Sequence, residues 1–137
     1  MRFMIMVKAT ADSEAGKMPD EALMASMATY HEALQKAGVL LDASGLQPSA
    51  KGWRVRYAGG RRTVTEGPFA ETKALIAGYT VIQVRSREEA MEWARRFPAP
   101  FGERADGEIE VRQLFELDEP ESGAEPERLR NLAASRR

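Results

Sequence analysis

Leu75-Ile-Ala-Gly-Tyr-Thr-Val-Ile-Gln-Val84 is the stretch on which the fold turns. Ile76, Thr80, Val81, Ile82 and Val84 are β-branched, which favours a strand over a helix. Successive side chains of a strand point to opposite faces, and both alternating sets here carry apolar residues. A strand of that kind is covered on both sides. Phe3-Met-Ile-Met-Val7 reads the same way, with Phe3, Ile5 and Val7 on one face and Met4 and Met6 on the other. Downstream of the central run, Ser86-Arg-Glu-Glu89 has the form of a capping box. It opens a helix whose stripe is Ala90, Trp93, Ala94 and Phe97, ended by Pro98 and Pro100. A last strand is expected from Glu108 to Leu117. Ile109, Val111 and Phe115 face the helices, and Glu110 and Arg112 face the other way.

Upstream, a loop carries Asp12, Ser13, Gly16 and Pro19. A helix follows from about Asp20 to Ala37, with Leu23, Met27, Tyr30 and Leu34 at helical spacing and Gly38 placed for its C-terminal cap. Val39-Leu40-Leu41 starts another extended segment. Trp53 to Tyr57 alternates strictly, Gly59-Gly60 makes a turn, and Arg61 to Glu66 resumes, which is a hairpin pattern. Gly67-Pro68-Phe69 then interrupts as a turn. The order is strand, helix, strand with an inserted hairpin, strand, helix, strand: an α+β, ferredoxin-like βαββαβ plan. Two helices cover one sheet face. The other is also apolar, and a second copy packing sheet on sheet is its simplest cover, so a homodimer is expected.

The composition excludes several classes. The 137 residues suit one domain, taken as 1–117, with 118–137 a charged tail, acidic in its first half and basic in its second, carrying a short amphipathic helix from about Pro126. There is no cysteine and one histidine, which removes disulfides, thiolate nucleophiles and multi-histidine metal sites. Lys+Arg is 20 against 21 Asp+Glu, a balance that argues against nucleic acid as a partner. No apolar run has the length of a signal peptide core or membrane span, so no membrane is expected and the location reads as cytoplasmic. No Gly-rich phosphate loop fits, and nothing in the spacings suggests a metal or other cofactor.

Residues 66–84, Glu-Gly-Pro-Phe-Ala-Glu-Thr-Lys-Ala-Leu-Ile-Ala-Gly-Tyr-Thr-Val-Ile-Gln-Val, resemble the signature of the YCII-related, or DGPF-domain, family. Lys36 to Leu41, Gly45 to Ser49, Glu89 to Ala94 and Gly107 to Arg112 support it, so the resemblance spans about 1–117. It implies a dimeric α+β barrel, two ferredoxin-like units joined through their sheets. It also implies a link to extracytoplasmic-function sigma factors, beside which members often occur. Related barrels include small-molecule isomerases, decarboxylases and cofactor-free oxygenases, and YCII relatives carry a proposed His–Asp pair. Two positions depart from the pattern: Glu66 stands where Asp is usual and Ala74 where Glu is usual.

Candidate residues follow. His31, at the border of its helix's apolar stripe, is either a general base or a half-buried residue hydrogen-bonded locally. Asp42 is its candidate partner. Glu66, Glu71 and Lys73 surround the Gly67-Pro68-Phe69 turn, where they either bind a small polar ligand or satisfy the loop and one another. Glu110 and Arg112 either orient a ligand or form a salt bridge between subunits. Trp53, Tyr57 and Tyr79 either line a pocket or fill a hairpin face. Arg54, Arg56, Arg61 and Arg62 read as a solvated patch. A pocket is expected between the turn and the face bearing Glu110 and Arg112, with Tyr79 as a wall. Two functions stand open. One is a dimeric small-ligand-binding or regulatory module; the other is a cofactor-free enzyme using His31, Glu66 or Glu71 for acid–base chemistry.

Overall fold

A computed structural model describes residues 1–116 and 126–135. The main sheet is antiparallel and four-stranded. Its strands are β1 (Arg2–Lys8), β2 (Leu40–Gly45), β5 (Ile76–Gln83) and β6 (Ile109–Gln113), in the order β2-β5-β1-β6. Two helices, α2 (Glu21–Lys36) and α3 (Arg87–Arg95), make the crossovers. This is the ferredoxin-like arrangement. Between β2 and β5 the chain forms a separate two-stranded sheet, β3 (Trp53–Ala58) with β4 (Arg61–Glu66). The central run of the sequence is the strand held on both sides: β5 pairs with β1 through Ile5↔Thr80 and with β2 through Ala43↔Thr80.

The core lies on one face of the sheet. Phe3 and Ile5 of β1 and Ile82 and Val84 of the β5 segment meet Tyr30 and Leu34 of α2 and Ala90 and Trp93 of α3. Burying each of the large apolar side chains contributes about 1.5–3 kcal/mol. The Tyr30 hydroxyl donates 2.7 Å to the Trp93 carbonyl and so ties the two helices. Burial pushes the Tyr30 phenol up to about 12, with the Arg96 guanidinium pulling slightly the other way. Both helix starts are side-chain capped. Asp20 Oδ1 accepts from Leu23 N at 2.8 Å, and Ser86 Oγ accepts from Glu89 N at 3.1 Å. Gly38, at φ 75°, closes α2.

Two local expectations change. The loop after β1 contains a short helix, α1 (Ala11–Glu14), because Thr10 and Ser13 cap each other reciprocally. The last strand ends at Gln113, opposite Phe3 near the start of β1, its neighbour in the sheet among the described residues. Phe115 is therefore 71% exposed and does not join the core. Leu117 and most of the acidic half of the tail lie outside the described residues. A helix is present in the tail, α4 (Pro126–Ser135).

Candidate functional site

A cleft of about 980 Å³ opens on the helix face of the sheet. Leu23, Met24 and Met27 of α2 form one wall, Phe97 and Phe101 another, and the α1–α2 connection a third. Thr80 and His31 line it where α2 meets the sheet. The spacing of Met27, His31 and Leu34 along α2 is what turns the imidazole toward β5.

The His31 hydrogen bonds define its chemistry. Nδ1 lies 2.8 Å from the Met27 carbonyl, which can only accept, so Nδ1 carries a proton. In the neutral ring Nε2 is then an acceptor, and it lies 2.8 Å from Thr80 Oγ1. Thr80 is 2% exposed, and a buried hydroxyl needs a partner. With its hydroxyl donating to Nε2, Thr80 Oγ1 keeps lone pairs for a ligand's O–H or N–H. Tyr30 and Phe97 stand edge-on to the imidazole, at 5.5 and 6.4 Å between centroids.

The remaining candidates fall in separate places. Asp42 pairs in register with Val81, on the sheet face opposite Thr80, and accepts from the Tyr79 hydroxyl at 3.1 Å. His31 and Asp42 are thus on opposite sides of the sheet and form no pair. Tyr79 borders the cleft, but its hydroxyl is engaged with Asp42. Glu110 and Arg112 pair with Met6 and Met4 and share their face. The Glu110 carboxylate holds Arg112 at 3.3 Å and Lys8 at 3.6 Å, with the Arg112 side chain 73% exposed.

The Gly67-Pro68-Phe69 turn, with a cis bond between its first two residues, is bound to its own chain. Gly67 N donates to Gly52 O at 3.0 Å and Phe69 N to Ser49 Oγ at 3.0 Å. Ser49 N and Oγ in turn donate to the Glu14 carboxylate. A Cβ on Gly67 would sit 1.8 Å from the Ser49 carbonyl oxygen, so only glycine fits there. Glu66, Glu71 and Lys73 are exposed. None of Glu66, Gly67, Pro68, Phe69, Glu71, Lys73, Glu110 or Arg112 lines the cleft. Among the described residues, the turn and the Glu110–Arg112 pair share no hydrogen bond or ion pair. The turn instead reaches the cleft indirectly, because Glu14 belongs to α1, whose Asp12 and Ser13 form part of the wall.

Sequence reasoning missed Thr80, Ser49 and Glu14. Thr80 had a usable signal: it shares a face with Ile82 and Val84, and a hydroxyl on a core face must be satisfied. Ser49 and Glu14 had none, being 35 residues apart. Among the described residues no cluster of three or more His, Asp or Glu is placed to hold a metal, and no helix is long and apolar enough to cross a membrane.

Comparison with known proteins places the chain in a family. The uncharacterized protein R00369 of Rhizobium meliloti (strain 1021) is 32% identical over 98 residues, covering 72% of this chain and 77% of that protein. The model of the YCII-related domain matches residues 1–118, all of the ferredoxin-like unit and its hairpin, and the chain belongs to that family.

Proposed function

We propose that the chain is the subunit of a homodimeric module that binds a small molecule in the cleft between α2 and the sheet, without a resident cofactor. The observation that carries this reading is the His31–Thr80 hydrogen bond at the meeting point of α2 and β5, inside a cleft whose wall near it is formed by Leu23, Met24, Met27, Phe97 and Phe101, with Asp12, Lys17, Asp20 and Asp106 also in the lining. Concave, mostly apolar sites with a few convergent polar groups are where small ligands bind. Thr80 Oγ1, its proton held by His31, accepts, so the ligand class is a small aromatic or alicyclic molecule that donates through a hydroxyl. Both His31 nitrogens are engaged and, among the described residues, no carboxylate hydrogen-bonds the ring, which favours binding over acid–base turnover. The second copy covers the open sheet face, where Met4, Met6 and Val81 form an apolar strip flanked by the Lys8–Glu110–Arg112 and Asp42–Tyr79 groups.

Phenol is the probe for the cleft. Saturation-transfer NMR is expected to show transfer from the protein to the phenol ring, lost in Met27→Trp, whose larger side chain takes up space in the cleft next to His31. Undiminished transfer in a folded Met27→Trp protein contradicts the assignment.

A second reading uses the same bond. If Thr80 Oγ1 takes a proton from a ligand hydroxyl while passing its own to Nε2, the pair is a two-step relay and the module an enzyme of the acid–base type. The 2.8 Å contact between Nε2 and Oγ1 is the observation in its favour.

A further inference from the structure

The β3–β4 hairpin takes no part in the cleft, and every one of its residues is exposed. A two-stranded hairpin is marginal in water unless something packs against it. Its register pairs Trp53 with Glu66, Val55 with Val64 and Tyr57 with Arg62. Directly opposed residues share a face. One face therefore carries Glu66 and Trp53 near the base, Val55 and Val64 in the middle, and Tyr57 and Arg62 toward the tip. Trp53, Tyr57 and Val64 are each more than 60% exposed. The other face turns toward its own chain, with the Arg54 guanidinium 3.8 Å from the centre of the Phe69 ring.

We propose that the Trp53–Val55–Tyr57 face of the hairpin is an interface that packs on the same face of a second copy, antiparallel about a two-fold axis. The order of charges along the face argues for this occupant. Two-fold packing lays the base of one hairpin over the tip of the other. Arg62 then meets the partner's Glu66 at each end, Trp53 comes over the partner's Tyr57, and Val55 and Val64 meet their counterparts at the axis. An apolar centre with opposite charges at its two ends is complementary to itself, as an isologous contact must be. A nucleic acid suits the face less well. A stacking platform needs cations beside its aromatic groups; Arg62 does stand over Tyr57, 5.2 Å from the ring centre, but at the other end Glu66 stands opposite Trp53 and would repel a phosphate backbone there. The inference rests on the homodimer reading and adds a contact separate from the sheet face.

The test is a charge swap read by sedimentation equilibrium. Arg62→Glu and Glu66→Arg each place like charges at both ends and are expected to weaken dimerisation by about tenfold or more. The double swap, R62E with E66R, restores opposite charges and is expected to return the affinity to within about threefold of the original. Both sites are exposed, and circular dichroism checks that each variant is folded. As a second readout, Trp93→Phe leaves Trp53 as the single tryptophan, and its emission is expected to shift to the red on dilution. Single variants that dimerise like the parent, with Trp53 emission unchanged by dilution, overturn the proposal. So does quenching of Trp53 by an oligothymidylate that binds the monomer. Failure of the sheet-face contact alone looks different: Met4→Asp with Met6→Asp would leave the dimer intact while the hairpin variants break it.

Discussion

Tyr30 shows how a single side chain couples packing to pH. Its phenol is in the core, donates to the Trp93 carbonyl, and is pushed from 10.0 up to about 12 by burial. Between those values the unfolded chain gives up the Tyr30 proton while the folded chain keeps it. The unfolded state then binds fewer protons, so stability falls as pH rises. The contribution is complete below about pH 10 and is lost as pH climbs through about 12. Tyr30→Phe is expected to cost about 1 kcal/mol at neutral pH, the usual value of one buried hydrogen bond. It should also flatten the alkaline fall, as thermal melts between pH 9 and about 12 will show. The same scale explains what could be read of the site in advance. The half-buried position of His31 follows from the stripe of its own helix. Its partner lies 49 positions away, on β5. Helical and strand periods say which face a side chain takes, but not which residue of another element it meets.

At the level of elements, local signals were sufficient wherever they were self-contained. The Ser86 cap, the Gly38 stop and the Gly59-Gly60 hairpin turn each need only a few neighbouring residues, and each is where the sequence puts it. The end of the last strand was not legible, because it depends on where the neighbouring β1 begins and not on its own alternation. The position of the cleft was illegible for a similar reason. It is built from α1, the α2 face, the end of β2 and the Phe97–Asp106 segment, which only the tertiary fold brings together. The tail helix α4 is expected to be dispensable for folding. Leu129 and Leu132 stay 44% and 62% exposed, so it buries little apolar surface. A chain truncated after Leu117 should melt within about 4 °C of the full chain, a shift that corresponds to about 1 kcal/mol or less in a domain of this size. A much larger loss would mean that the tail stabilises the core.

For the whole molecule, the two proposed roles fall on the two faces of one sheet. The helix face holds the core and the cleft. The open face holds Met4, Met6, Val81 and the ion pairs, and is the proposed surface for the second copy. The methionines happen to be distributed between them. Met18, Met24 and Met27 line the cleft, Met4 and Met6 lie on the open face, and Met91 sits exposed on α3 as a control. One spectrum of methyl-labelled methionine therefore reads both roles at once. On addition of phenol, the signals of Met24 and Met27 are expected to move while those of Met4, Met6 and Met91 stay. On dilution, Met4 and Met6 are expected to move while the cleft signals stay. If phenol shifts none of the cleft methionines, or shifts Met4 and Met6 instead, the ligand site between α2 and the sheet is contradicted.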